Sequence, residues 1–338
     1  MVKLLKQYIK KRLINLIDHR IGEHQNVFSA AASELPNSED YSDDLFKLLY
    51  NSSHRIDGSL DLAASTTIEA FSHQWENLKD GRYLLSDPFF KENVANIISQ
   101  QETLIKPEWF KGKKILDAGC GNGRWAYGLI QLGANVTLVD INKSAIQEAQ
   151  NNIRELGAEV DAVVTPMERV HEALKGQKFD MVWSWGVLHH CQDFLASFNA
   201  LQTLIADHGL LFMYLYGRET LDYQTDINLF KDRIRYNLLS STNEQLEFLR
   251  SKGAIEDKLL HNYHDIYAPL INRRFTWDEV ERLLLNVGFE DILRTIDHTE
   301  IWVRGIKANA EEFKRLYSLP PASPPYWFQV HPDDGDQA

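Results

Sequence analysis

The sequence predicts an α/β protein: a doubly wound, mostly parallel seven-stranded sheet, with a helical extension before it and a helical lid inserted late in it. Three observations carry this. From Lys113 onward, short apolar runs alternate with helical patterns, as parallel strands joined by right-handed crossovers require. A glycine-rich turn at 119–123 links the first apolar run to the first of these helices. A charged, helical stretch at 217–275 then breaks the rhythm before two closing strands.

Taken in order, residues 1–105 form the N-terminal helical extension. Within it, 1–20 reads as a basic amphipathic helix with Val2, Leu5, Ile9, Leu13 and Leu16 on one face. Packing on the body of the protein is one use for such a helix; docking on a membrane surface or a partner is the other. Pro36, Asn37 and Ser38 mark a loop, and Gly81 and Pro88 break a mostly helical stretch that follows. The core occupies 106–216 and 276–310, with strands expected at 115–118, 136–139, 160–164, 179–183, 209–215, 289–295 and 300–307. Gly133 stops the helix that follows the glycine turn. Asn142 caps the next, whose apolar face is Ile146, Ala149, Ile153 and Leu156. Thr276 and Glu279 make a capping box for the helix after the insertion. The tail, 311–338, is expected to be irregular, because Pro320, Pro321, Pro324 and Pro325 cannot join regular structure.

The chain has 338 residues, 44% apolar and 25% charged, which suits a globular protein with a buried core. Its formal charge of −12 counts against a protein that grips nucleic acid by bulk electrostatics. Cys120 and Cys191 are the two cysteines; they cannot form a disulfide framework, fall in no metal-ligand spacing, and read as thiols of a cytoplasmic protein. No run of about 18 apolar residues predicts a membrane span. Lys3, Lys6, Lys10, Lys11 and Arg12 interrupt the first segment too often for a secretory leader. No metal site and no particular oligomeric state is indicated.

The chemistry centres on Ile115-Leu116-Asp117-Ala118-Gly119-Cys120-Gly121-Asn122-Gly123-Arg124. Glycines let the backbone take positive φ and approach a ligand closely. The carboxyl end of a strand in an open α/β sheet is where ligands bind. A dinucleotide fingerprint needs glycine at the sixth position counted from Gly119, and that position is Arg124. Asp117 lies two residues before the first glycine, where a carboxylate suits a cation and repels a diphosphate. S-adenosylmethionine has an ammonium group and no pyrophosphate. Asp140 ends the second strand, where an acid can accept both ribose hydroxyls.

The segment 111–217, with the return at 276–307, resembles the class I (Rossmann-like) S-adenosylmethionine-dependent methyltransferases. The resemblance rests on Asp117 to Gly123, Val139-Asp140, Phe179-Asp-Met-Val-Trp-Ser-Trp-Gly-Val-Leu-His-His190 and the fifth strand through Tyr216. It implies S-adenosyl-L-methionine as cofactor, held by Asp117, Gly119, Cys120, Gly121, Asn122, Gly123, Asp140 and Ile141, with Met167, Glu168, Ser184 and Trp185 further along. The family's usual acid after the third strand is replaced by Pro166, so Glu168, Thr165 or a backbone carbonyl must meet the adenine amino group, and Met167 can pack on its face. Phe71-Ser-His-Gln-Trp75 and His264-Asp-Ile-Tyr-Ala-Pro269 resemble a subgroup that methylates small molecules and glycans. Trp75 is assigned to the cofactor's cover on that ground, core packing being the other reading.

The expected activity is transfer of a methyl group to an oxygen or nitrogen of a small molecule or glycan by in-line displacement, where positioning supplies much of the rate. A base must take the acceptor's proton. His189 and His190 after the fourth strand are the candidates, joined by His264 and Tyr267 in the lid. Arg273 and Arg274 read either as a solvated basic pair or as a clamp for an acceptor carboxylate or phosphate, and Tyr214 and Tyr216 should face the cleft. The alternatives are a tRNA- or other nucleic-acid-modifying transferase and a non-catalytic cofactor-binding subunit.

Overall fold

The computed structural model describes residues 43–219 and 221–331. The expected helix at 1–20, with its membrane or partner role, lies outside these residues. Three helices come first, α1 (Asp43–His54), α2 (Asp61–Asn77) and α3 (Pro88–Ile97); α3 runs on into a π-helical turn, Ile98–Glu102. After the short α4 (Pro107–Phe110) the sheet begins: β1 (Lys114–Ala118), α5 (Arg124–Gln131), β2 (Asn135–Asp140), α6 (Lys143–Arg154), β3 (Asp161–Val164), α7 (Val170–Ala173), β4 (Phe179–Trp185), α8 (Phe194–Thr203) and β5 (Ile205–Leu215). Helices α9 (Tyr223–Asn237), α10 (Thr242–Ser251) and α11 (Asp257–Tyr267) follow, then α12 (Trp277–Asn286), β6 (Asp291–Arg294), β7 (Ile301–Ile306) and α13 (Ala310–Tyr317).

The seven strands form one sheet in the order β3-β2-β1-β4-β5-β7-β6. The first five pair in parallel, and β7 runs antiparallel to both of its neighbours. The order reverses between β1 and β4, and that crevice is where the glycine turn emerges. Side chains alternate across the strands, so each face has its own core. Ile115, Leu138, Met181, Trp183 and Phe212 pack under α3, α5 and α6. Leu116, Val139, Val182 and Leu211 pack under α8 and α12. The predicted caps are present: Asn142 accepts from the Ser144 and Ala145 amides, and Thr276 and Glu279 form a reciprocal box.

The N-terminal helices and the 217–275 stretch, remote in sequence, pack on each other. Leu49, Ala63, Phe230, Ile234 and Leu270 form one small core, and Ala70, Tyr236, Leu249 and Leu260 another. The Gln74 side chain bonds the His261 carbonyl at 3.0 Å, joining α2 to α11 across the mouth of the crevice. Among the described residues no helix is long and apolar enough to cross a membrane.

The expectation for the tail is corrected. Residues Ala310–Tyr317 are helical, with Glu311 and Glu312 in the first turn and Lys314 and Arg315 in the last, as the helix dipole favours. The prolines begin only at Pro320, and beyond them Tyr326 and Trp327 are buried in the main core. β5 also starts at Ile205, four residues earlier than expected, its added residues lying at the partly exposed sheet end.

Phe212 is fully buried and its ring stacks on Trp183 at 4.2 Å. Phe212→Ala should therefore destabilise the fold by about 3–5 kcal/mol, read as a lower denaturant midpoint at unchanged slope.

Candidate active site

The site is built around the turn after β1. Gly119, Gly121 and Gly123 all have positive φ, at 85°, 51° and 80°. Each is also pressed by a neighbour: a Cβ on Gly119 would overlap Val187, one on Gly121 would overlap the Trp75 indole, and one on Gly123 would overlap Ala149. Side-chain-bearing residues are excluded twice over, by backbone conformation and by space. Asp140 braces the turn, accepting from the Gly121 amide at 2.9 Å and from the Asn142 amide at 2.8 Å. Burial raises its carboxyl above the ordinary value, against those amides. Each oxygen keeps a lone pair for a hydroxyl donor.

Asp117 lies beneath the turn, buried, with Oδ2 bonded to nothing. Burial, and then the nearby Asp140 charge, push its carboxyl up to about 7. A carboxylate left this way is a site for a cation. The orphaned oxygen and the glycine cradle both fit a ligand that brings an ammonium group and a ribose.

A cavity of about 200 Å³ opens beside the turn. Of the residues singled out for the cofactor, Gly119, Cys120, Gly121, Asp140 and Ile141 line it. Met167, Glu168, Trp185 and Trp75 do so as well, along with Thr165 and Pro166. Asp117, Asn122, Gly123 and Ser184 do not reach it: Asp117 is buried beneath the turn, the Asn122 carbonyl holds Asn152, Gly123 caps α5, and Ser184 is buried within the sheet. Glu168 bonds the Asp193 amide through Oε1, which leaves Oε2 for another donor. Cys120 and Cys191 also line the cavity, and burial raises both thiols, Cys191 to about 12, so neither offers a thiolate near neutral pH.

The expected catalytic residues divide. His190 lines the cavity. Its Nδ1 stands 2.7 Å from the Ile271 carbonyl, and a carbonyl only accepts, so Nδ1 bears the proton and Nε2 keeps a lone pair. His189 points into the interior instead, fully buried, its ring 4.0 Å from that of Tyr216. His264 is likewise corrected: it is locked between the Tyr236 hydroxyl and the Ala70 carbonyl, both at 2.9 Å, in the α2–α11 core. Tyr267 packs with Phe248 and Lys252 away from the cavity. Helix geometry explains the miss. In α11 the cavity-facing residues are His261 and Asp265, one turn apart on one face, and His264 and Tyr267 fall on others.

Arg273 and Arg274 are not ligand-binding arginines. Arg273 is buried and donates to the Arg55, Cys191 and Gln192 carbonyls and to Ser59 Oγ. Arg274 binds the Gly217 carbonyl and Glu300. Among the described residues, the cation that lines the cavity is Arg124, whose guanidinium lies over the Trp185 ring at 4.8 Å and bonds the Tyr83 carbonyl at 3.1 Å. Tyr216 donates to Asp265 at 2.9 Å, whereas Tyr214 sits behind, stacked on Trp185 at 4.3 Å. His261 mirrors His190: its Nδ1 is 2.7 Å from the Leu78 carbonyl and its ring lies 5.1 Å from Trp75. Among the described residues no cluster of His, Cys, Asp and Glu is arranged to hold a metal ion.

A family model described as a methyltransferase domain matches residues 110–272, a little under half of the chain, including the glycine turn, Asp140 and the His190 loop. Residues 110–272 thus carry a methyltransferase domain. Curated relatives of this methyltransferase include two ubiquinone biosynthesis O-methyltransferases. That of Haemophilus ducreyi is 27% identical over 173 residues, 48% of this chain and 72% of the relative. That of Pseudomonas aeruginosa is 29% identical over 165 residues, 49% of this chain and 67% of the relative. Similar solved structures include magnesium protoporphyrin IX methyltransferase from Synechocystis with bound S-adenosylhomocysteine, at TM-score 0.41 and 17% identity, covering 79% of this chain and 96% of that one. Another is an N-methyltransferase from Bradyrhizobium japonicum, at TM-score 0.43 and 11% identity, covering 72% of this chain and 100% of that one.

If Asp140 holds the ribose of this methyltransferase's cofactor, Asp140→Ala removes a charged acceptor whose hydrogen bonds are worth roughly 1.5–3 kcal/mol. Calorimetry with S-adenosylhomocysteine should show affinity lower by about 10- to 150-fold, while Asp140→Asn, which keeps an acceptor for the Gly121 amide, should lose less.

Proposed function

We propose that this methyltransferase moves its methyl group onto an oxygen or nitrogen of a small molecule, and that His190 takes the acceptor's proton. The observation that carries the reading is the fixed His190 ring, its Nδ1 spent on Ile271 and its Nε2 left for the cavity. The 3-10 turn Leu188–His190 follows Val187, which lies directly on Gly119, so the base stands beside the glycine turn. The name of the curated relatives favours oxygen over nitrogen as the atom methylated. Phe71, Trp75, Trp185 and Tyr216 give the cavity aromatic walls, which suit an acceptor with a planar ring or the apolar face of a sugar. The net charge of −12 weighs against a nucleic-acid acceptor. The 217–275 stretch, joined to α2, acts as the cover that keeps water out.

When bound, S-adenosylmethionine supplies a methyl group on a positively charged sulfur. Asp117 neutralises cationic charge below the turn, and Asp140 and the glycine amides orient the ligand there. The aromatic walls would hold the acceptor's oxygen or nitrogen in line with the methyl group that the bound cofactor supplies. With an oxygen acceptor, His190 Nε2 then receives the proton. Burial, with Arg233, Arg273 and Arg274 beyond it, pushes His190 down to about 3, so the ring is neutral at physiological pH. A weak base suffices here, because an alcohol that has gained a methyl group is a far stronger acid than such an imidazolium.

Two outcomes follow. With an acceptor found by screening alcohols, phenols, amines and sugars for S-adenosylhomocysteine release, His190→Gln should lower kcat by about 10²–10⁴-fold and leave cofactor affinity nearly unchanged. If His261→Gln shows that loss and His190→Gln does not, the base is His261. The pH profile is a separate check. Protonation of Nε2 removes the lone pair, and the ring's value is depressed from 6.5, so kcat at saturating cofactor, which holds Asp117 ionised, should stay level through pH 6.5 and fall only well below it. An acid limb at 6.5 would assign the proton to a different, exposed histidine.

A further inference from the structure

We propose that Glu102 is a positioning residue of the active site, fixing the Trp185 indole in the cavity wall by tying it to Trp327 of the C-terminal segment. Glu102 lies outside the cavity, fully buried at the end of the π-helical turn Ile98–Glu102. Its two oxygens are divided between two indoles far apart in the sequence, one at the end of β4 and one in the C-terminal segment. Oε2 accepts from Trp185 Nε1 at 3.1 Å, and Oε1 accepts from Trp327 Nε1 at 3.2 Å. The residue before it takes part in the same joint: Gln101 Oε1 accepts from the Trp327 amide at 2.7 Å. A π-turn adds a residue to the helical repeat, a local distortion often found at functional sites.

What Glu102 holds is a working surface. The Trp185 ring lines the cavity, has the Arg124 guanidinium above it at 4.8 Å, and is backed by Tyr214 at 4.3 Å. Without its N–H bond, the indole would be free to turn about its side-chain torsions, and the seat of Arg124 would turn with it. The C-terminal segment is anchored independently on the far side. Tyr83 donates its hydroxyl to the Phe328 carbonyl at 3.0 Å, and the Tyr83 carbonyl in turn accepts from Arg124 at 3.1 Å. Arg124 and the segment that contains Trp327 are thus joined by two routes, one through Tyr83 and one through Glu102 and Trp185. A buried carboxyl costs stability unless its oxygens are bonded, and burial pushes this one up to about 8 against the indole N–H groups and Arg124. An apolar side chain would fill the space more cheaply, but it could not hold two indoles in one orientation.

The test uses the full chain with nitrogen-15 in its indole groups, the Trp185 and Trp327 N–H resonances being assigned from Trp185→Phe and Trp327→Phe. In Glu102→Leu both resonances should move upfield as their bonds are lost. Glu102→Gln has one acceptor oxygen, and its amide N–H faces the second indole, so one resonance should hold and the other should move. Trp327→Phe keeps Glu102 intact yet should still shift the Trp185 resonance, which simple packing at residue 102 would not do. Affinity for S-adenosylhomocysteine should fall by about fivefold in Glu102→Leu, the equivalent of about one hydrogen bond, with Glu102→Gln between. The proposal is overturned if a folded Glu102→Leu keeps the wild-type Trp185 resonance, or if Trp327→Phe leaves that resonance in place. Should Glu102→Leu fail to fold, Glu102→Gln and Trp327→Phe decide the matter. This outcome does not depend on His190 or on the acceptor, so it can fail while the proposed function stands.

Discussion

Three parts of the protein converge on one turn because three of its residues have no side chain. Val187 from the end of β4, Trp75 from α2 and Ala149 from α6 each occupy space that a Cβ on Gly119, Gly121 or Gly123 would need. These contacts fix how far the two flanking strands stand from each other at their carboxyl ends, how α6 packs on α5, and how closely the N-terminal helices approach. Asp140 completes the joint from the neighbouring strand. The cavity is the space left over when these neighbours have been brought as near as the backbone permits, so its shape is set by packing before any ligand is present.

Much of this was legible because its signals are local. An apolar run ending in an acid, then glycines at alternate positions, states a strand, a turn and a helix within about ten residues. The strand alternation and the caps at Asn142 and Thr276 are of the same kind. What the sequence did not disclose depends on which face of a helix is turned inward. In His261-Asn-Tyr-His264-Asp265 the polar residues occur all round the helix, and only packing against Ala70 and Tyr236 decides that His264 is interior and that His261 and Asp265 meet the cavity. Arg124 was visible only as the residue that spoils a dinucleotide fingerprint. The informative sign was that it begins α5 directly after the glycine turn, where a long side chain reaches across the mouth of the sheet.

The tail was misjudged for a different reason. Four prolines in a short stretch argue against helix and strand, and they do so correctly for the residues they occupy. They say nothing about burial. Tyr326 and Trp327 are as deeply buried as strand residues, and nothing in the local pattern pairs them with Glu102, more than two hundred positions earlier. Glu102 stands in a polar run, Ser99-Gln-Gln-Glu-Thr103, which gives no local sign that it is buried.

The joint between Glu102 and Trp327 also bears on how the protein comes into being. The strands from β1 to β5, the glycine turn and the His190 loop are all synthesised well before residue 327, and domains fold as they emerge from the ribosome, N-terminal parts first. The nascent chain can therefore acquire most of its sheet while one wall of the cavity still lacks the indole that steadies it. Until Trp327 docks, Glu102 is a buried acid with half its partners and Trp125 lacks a ring beside it. Trp327 thus finishes a site whose first elements are made some two hundred residues earlier, and the cavity wall is steadied only once that residue has been made and has docked.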